Sequence, residues 1–195
     1  MGVKIEELAP EMQKKLRAFV AVCAEDSRLK AEGHQLVITE GRRPDIVQAR
    51  YFCSGRTPSE IAAALDRVGA DQRQRAFIQL AIEEIFGAAA LPEDRAPGRI
   101  ITNALPCTGP HCLAVAFHAR LKHGAHVLDD DETPWRTLGA LGKQCGLVWG
   151  GDFKFAFDGE HYELPRAQWP KPDVGAHSMR PPEGGRLSAP TKNAA

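Results

Sequence analysis

The chain carries no net charge: its 25 lysines and arginines are matched by 25 aspartates and glutamates across 195 residues. That balance excludes a global field steering the protein to nucleic acid or to an anionic membrane surface. A neutral or locally bound partner is the easier expectation. No apolar run is long enough for a transmembrane helix. The opening MGVKIEELAPEMQKK lacks the apolar core of a signal peptide. Glu6 stands where a myristoylation signal needs Ser or Thr. The expectation is synthesis in a cytoplasm without a signal peptide, and no stable membrane insertion. Five cysteines (Cys23, Cys53, Cys107, Cys112, Cys145) form no CxxC pair, and their number is odd, so no disulfide framework is expected. Internal repeats are absent as well.

What the chain does contain is an interleaving of helical and extended patterns. Leu8, Met12, Leu16, Phe19, Val20, Val22 and Cys23 recur at helical spacing, which predicts a helix over 8–30 closed by Gly33. QLVITEG (35–41) is β-branched and ends in glycine, as a strand does. Helices are predicted over 44–55, with Pro44 near the first turn, and over 57–69, where Thr57 or Ser59 precedes Glu60 in a capping pattern. A further helix is predicted over 71–90, with Ala76, Leu80, Ile82, Ile85 and Phe86 along one side. RIITNAL (99–105) reads as a strand or an extended segment. CLAVAFHARL (112–121) reads as a strand with Ala114, Ala116 and His118 on one face. Residues 133–146 are predicted helical, capped by Thr133 and ended by Gly146. LVWGG and HYEL are short strands. From about Pro170 the chain is rich in Pro, Gly and Ser, the composition of a flexible tail over 170–195. The sum is an α+β class.

Seven histidines supply the chemistry. His111, His118 and His161 fall in or beside predicted strands and turns. His34, His123, His126 and His177 fall in polar segments. A catalytic zinc takes three protein ligands and leaves a fourth position open, and a pair seven residues apart with a distant third can form such a set. That spacing alone is not specific.

Four blocks together are more so. GPHCLAVAFH (109–118) resembles the S-x-H-x-x-G-x-A-x-D motif of the D-Ala-D-Ala carboxypeptidase and L-alanyl-D-glutamate endopeptidase family (VanY-like, phage endolysin type). WGGDFKFAFDGEH (149–161) resembles its closing W-G-G-D-W…D-x-x-H segment. TEGRRPDIVQARYFCSGRT (39–57) and APGRIITNA (96–104) resemble its two upstream blocks, in the same order. The resemblance spans about 39–163 and leaves 58–95 as a helical insertion.

The resemblance implies site residues. His111 and His161 match zinc-binding histidines, Asp158 the catalytic acid/base, and Arg43 the arginine that holds a substrate carbonyl or developing oxyanion. Gln48 matches the glutamine of the same block, a substrate-binding position. His118 falls where the family has a zinc-binding aspartate. A histidine there keeps a metal ligand in reach through Nδ1, which lies two bonds beyond Cβ as a carboxylate oxygen does. Two further departures are Gly109 for the motif's serine and Ala114 for its glycine. Beside these, Trp135 and Trp149 are expected to pack in the core or a groove rather than to stack on substrate, Glu160 to be an exposed loop carboxylate, and Cys112 to be a small buried thiol.

The expected architecture is a small central antiparallel sheet with flanking helices and a Zn2+ site in a cleft, as in hedgehog and D-Ala-D-Ala peptidase-like folds. One peptidase domain is expected over 1–169. The implied function is zinc-dependent cleavage of the stem peptides of bacterial peptidoglycan, with the L-Ala–D-Glu bond favoured, by a phage or prophage endolysin. Such a protein is expected to act as a monomer in the periplasm or at the cell wall, reached through a lesion made by a partner such as a holin. The alternatives are a D,D-carboxypeptidase or dipeptidase, and a non-catalytic wall-binding or virion structural protein on the same fold.

Overall fold

A computed structural model of the protein describes residues 3–87, 91–154 and 157–171. Most of the expected C-terminal tail lies outside the described residues. The first long helix, α1 (Pro10–Glu25), opens on a proline and buries Met12, Leu16, Phe19 and Cys23, a spacing of three and four. It does not run on to residue 30 as its pattern predicts. Asp26 leaves helical geometry and accepts hydrogen bonds from the backbone amides of Arg28 (3.0 Å) and Leu29 (3.1 Å), starting the short α2 (Ser27–Ala31). Aspartate is a strong N-cap, and here capping wins over continuity.

Strand β1 (His34–Glu40) follows. Helices α3 (Asp45–Cys53), α4 (Pro58–Arg67) and α5 (Gln72–Phe86) come next. Helices α4 and α5 both begin with capping boxes, Thr57 with Glu60 and Asp71 with Gln74. The buried face of α5 is Gln74, Ile78 and Ala81, whereas Leu80, expected inside, is 42% exposed. The apolar positions of that helix span more than one stripe, and packing against α3 selects the stripe. Residues 99–105 form neither helix nor strand.

Strands β2 (Ala116–His123), β3 (His126–Val127), β4 (Val148–Trp149) and β5 (His161–Glu163) complete an antiparallel sheet. Its order is β1-β2-β5-β4, with β3 on β2. Helix α6 (Trp135–Gln144) lies between β3 and β4. Pro134, not Thr133, precedes its first turn, and the Thr133 hydroxyl donates instead to the Asp129 carbonyl. His34, His123 and His126, expected in polar segments, belong to β1, β2 and β3.

Among the described residues two hydrophobic clusters hold these elements. One side of the sheet contributes Phe117, Ala119, Leu121 and Tyr162, on which α1 and α6 lay Phe19, Leu16, Leu138 and Leu141. Trp135 and Trp149 belong to the same cluster, as expected of packing tryptophans. The second cluster is Ala49, Phe52 and Cys53 of α3 with Ile61 and Leu65 of α4, Ile78 and Ala81 of α5, and Leu105. The fold is α+β, a small antiparallel sheet with flanking helices. Among the described residues no helix is long and apolar enough to cross a membrane.

Candidate metal centre

Alternation along a strand puts Phe117, Ala119 and Leu121 into the core and turns His118 to the opposite face. Across the sheet His118 pairs with His161 of β5 on one side and with Glu40 of β1 on the other. Cross-strand partners on one face stand about 4.5–5.5 Å apart at Cβ, so register alone brings these side chains together. His111 enters from the turn before β2. That turn closes with Ala114 at φ 59°, a left-handed geometry that places it outside the strand and off the face predicted for it. A β-carbon there costs roughly 1 kcal/mol relative to glycine.

Three ring nitrogens converge. His111 Nε2 lies 3.1 Å from His118 Nε2 and 3.3 Å from His161 Nδ1, and the latter two are 3.2 Å apart. Of the described residues, these three form a group able to hold a metal ion. The remaining nitrogen of each ring faces its own oxygen, hydrogen-bonded for His111 and His161 and at ion-pair distance for His118. For His111 Nδ1 it is the Gly41 carbonyl at 2.8 Å, for His161 Nε2 it is Glu163 at 3.1 Å, and for His118 Nδ1 it is Glu40 at 3.3 Å. The Gly41 and Glu163 hydrogen bonds place the His111 and His161 protons on the outer nitrogens, and the Glu40 carboxylate at ion-pair distance favours the same for His118, so that three lone pairs face one point. A tetrahedral metal with nitrogen ligands at about 2.0–2.1 Å sets those nitrogens about 3.3 Å apart, so the site fits such an ion. The structure corrects one detail, because His118 offers Nε2, not Nδ1. Its ring extends past the metal-facing point of an aspartate, and its near nitrogen turns to Glu40.

Burial keeps the His111 and His118 rings neutral. Desolvation, with the neighbouring His161 and Arg43 charges adding to it against the Gly41 hydrogen bond, lowers His111 to about 4. Desolvation and the same crowding of positive groups lower His118 to about 2. Neutral imidazole is the metal-binding form.

The histidines line a cleft of about 710 Å³ together with Arg43, Gln48, Trp135, Asp158 and Trp169. The tight turn of D-x-x-H carries Asp158. The His161 amide donates to the Asp158 carbonyl at 3.2 Å, and the Asp158 amide to the Gly150 carbonyl at 3.2 Å. A β-carbon on Gly150 would stand 2.4 Å from the Asp158 carbonyl oxygen and 2.9 Å from His161 Cβ. The Trp-Gly-Gly corner is thus what lets this turn close on itself. Burial raises the Asp158 carboxyl above its ordinary range, against the pull of His161.

Arg43 is buried. Its guanidinium forms a two-pronged ion pair with Glu40 (Nε to Oε1 2.6 Å, Nη2 to Oε2), and Nη1 donates to Gln48 Oε1 at 2.6 Å. Three of its five N–H groups are thereby engaged. Gln48 is 1% exposed, and its Nε2 donates to the Ala104 carbonyl at 2.7 Å. Glu160 is half-buried rather than exposed, held by Arg120 at 2.7 Å. Burial pushes the half-buried Cys112 thiol up to about 12, which makes it inert. Gly109 has ordinary van der Waals space at its β position, toward Ala104 and Gln48.

Two residues of the site were missing from the sequence reading, Glu40 and Glu163. Glu163 had a signal, since the second residue after a strand histidine shares its face. Glu40 had a weaker one, an acid three residues before Arg43.

No protein-family model matches the chain, and no curated protein sequence does. Solved structures are similar in fold. One is the L-Ala D-Glu endopeptidase ChiX of Serratia marcescens, with a TM-score of 0.41 and 14% identity over 83% of each chain. Another is the vancomycin-resistance D,D-pentapeptidase VanY of a VanB-type cassette, in complex with Zn(II). It has a TM-score of 0.41 and 16% identity over 80% of this chain and 72% of that one. At that distance the likeness carries no argument about the site, whose chemistry follows from its own residues.

Proposed function

We propose that the chain is a zinc-dependent peptidase that cuts the stem peptides of bacterial peptidoglycan, with the L-Ala–D-Glu bond favoured. The observation that carries this is the convergence of three imidazole nitrogens on one point of a cleft that also holds Asp158 and Arg43. Three nitrogen ligands with tetrahedral spacing suit zinc better than the hard cations, which take oxygen. The substrate class comes from the four sequence blocks.

His111, His118 and His161 would hold the ion. Zinc in such a set supplies Lewis-acid polarisation and a water of lowered pKa. Asp158 is the general base and then the general acid: its carboxylate takes the proton of the attacking water and passes it to the leaving amine. Arg43 offers its unengaged N–H groups to the substrate carbonyl as negative charge develops there. Gln48, with both ends of its amide engaged inside the protein, holds Arg43 in place. The endolysin assignment, action at the wall as a monomer and arrival through a holin lesion are parts of the same proposal and rest on the family resemblance.

Mass spectrometry of purified peptidoglycan after incubation, with and without a zinc chelator, tests the reaction. Chelator-sensitive opening between L-Ala and D-Glu is the expected result. Release of terminal D-Ala would move the chain to the carboxypeptidases. Unchanged peptidoglycan with zinc supplied would leave a non-catalytic wall-binding protein. The ligand assignment is checked by metal analysis: His118→Ala should abolish zinc uptake and His118→Asp should keep it. Full zinc content in His118→Ala would refute the assignment.

A further inference from the structure

Strand β1 is irregular where it meets the site. Ile38 pairs with Ala119, but Glu40 pairs with His118, so two steps on β1 match one step on β2. In a regular strand Glu40 would share the core-facing side with Ile38. The bulge at Thr39 turns it instead to the face of His118 and the metal point. There one carboxylate meets two partners, His118 Nδ1 at 3.3 Å and the Arg43 guanidinium in a two-pronged pair. The other acid near that nitrogen is Glu160, farther away at 3.8 Å and already held by Arg120.

We propose that Glu40 is a positioning residue for the metal centre, fixing His118 so that its Nε2 faces the ion and coupling that ligand to Arg43. This rests on the zinc site proposed above. The physical need is particular to this chain. An aspartate ligand arrives charged and has no tautomers, whereas a histidine binds only if its outer nitrogen carries the proton and its ring is held at the right angle. The Glu40 carboxylate, 3.3 Å from that outer nitrogen, favours the proton there and holds the ring by charge beside a site whose three ligands bring none.

A double-mutant cycle read by zinc affinity, through competition with a chromophoric chelator, tests it. Glu40→Ala in the wild-type chain should weaken zinc binding by about 10–100-fold. In the His118→Asp background the same change should cost far less, because the ligand no longer depends on an acceptor behind it. The Arg43 pair is lost equally in both backgrounds and cancels from the difference. If the metal-free Glu40→Ala protein melts below the assay temperature, Glu40→Gln, which keeps a neutral acceptor, replaces it, with a smaller loss expected in the wild type. Equal losses in the two backgrounds, or affinities unchanged in both, would overturn the positioning role and leave the zinc reading standing. A wild-type chain that takes up no zinc would bring down both.

Discussion

Single residues settle how the closing segment works. Asp158 and His161 share a tight turn, and burial raises the Asp158 carboxyl, the direction a proton acceptor working near neutral pH requires. Asp158→Asn should retain zinc, since Asp158 is not among the converging ligands, yet lower kcat by about 10²–10⁴-fold. Loss of the metal in that variant would mean Asp158 acts structurally. Ala114 has the opposite character, a cost carried by the fold. With φ at 59°, it should be improved by glycine. Ala114→Gly is expected to raise stability by about 0.5–1 kcal/mol in urea denaturation of the metal-free protein. A destabilised variant would show that the methyl contributes packing that outweighs the backbone strain.

Elements set the reach of these residues. Helix α6 lies close on the sheet because it presents glycine where it crosses the aromatic side chains. A β-carbon on Gly142 would stand 2.6 Å from the Tyr162 ring, and Tyr162 is fully buried next to Phe19 and Phe117. Gly142→Ala gains helix propensity but must push the helix off that ring, so a net loss of about 1–3 kcal/mol is expected in the denaturation midpoint. Because Tyr162 adjoins His161 in β5, the displacement should also weaken zinc binding. A variant of unchanged stability would contradict the packing of α6 on β5. The bulge in β1 is the other decisive feature of this scale, since it exchanges which face Glu40 serves.

For the whole molecule, burying neutral histidines ties stability to pH. In the metal-free fold His111 titrates near 4 and His118 near 2, against 6.5 for an ordinary imidazole, so the unfolded chain binds their protons first. Stability from these groups is complete above 6.5 and is lost as pH falls from there toward 4. The slope should approach about 1.4 kcal/mol per pH unit for each histidine, measured as the urea midpoint of the metal-free protein across that interval. A flat profile would mean the rings are solvated. Zinc should add stability on top, about 2.7 kcal/mol at a hundredfold excess over its dissociation constant, and a chelator should remove it.

The sequence by itself determined the local matter. Apolar periodicity and capping residues placed the helices to within a few residues, because hydrogen bonds inside a helix and its caps join near neighbours in the chain. Motif order gave His111, His118, His161 and Asp158 as one expected set, of which the three histidines converge in the fold. Tertiary structure decided the rest. The end of α1 at Asp26, the buried stripe of α5 and the nitrogen His118 turns inward all depend on what packs opposite. Glu40 and His118 are 78 residues apart in the chain, and only strand register across β1, β2 and β5, with one inserted residue in β1, makes them neighbours. A one-residue change of register reverses every side chain on a strand, and that choice is made by the core on the far side of the sheet.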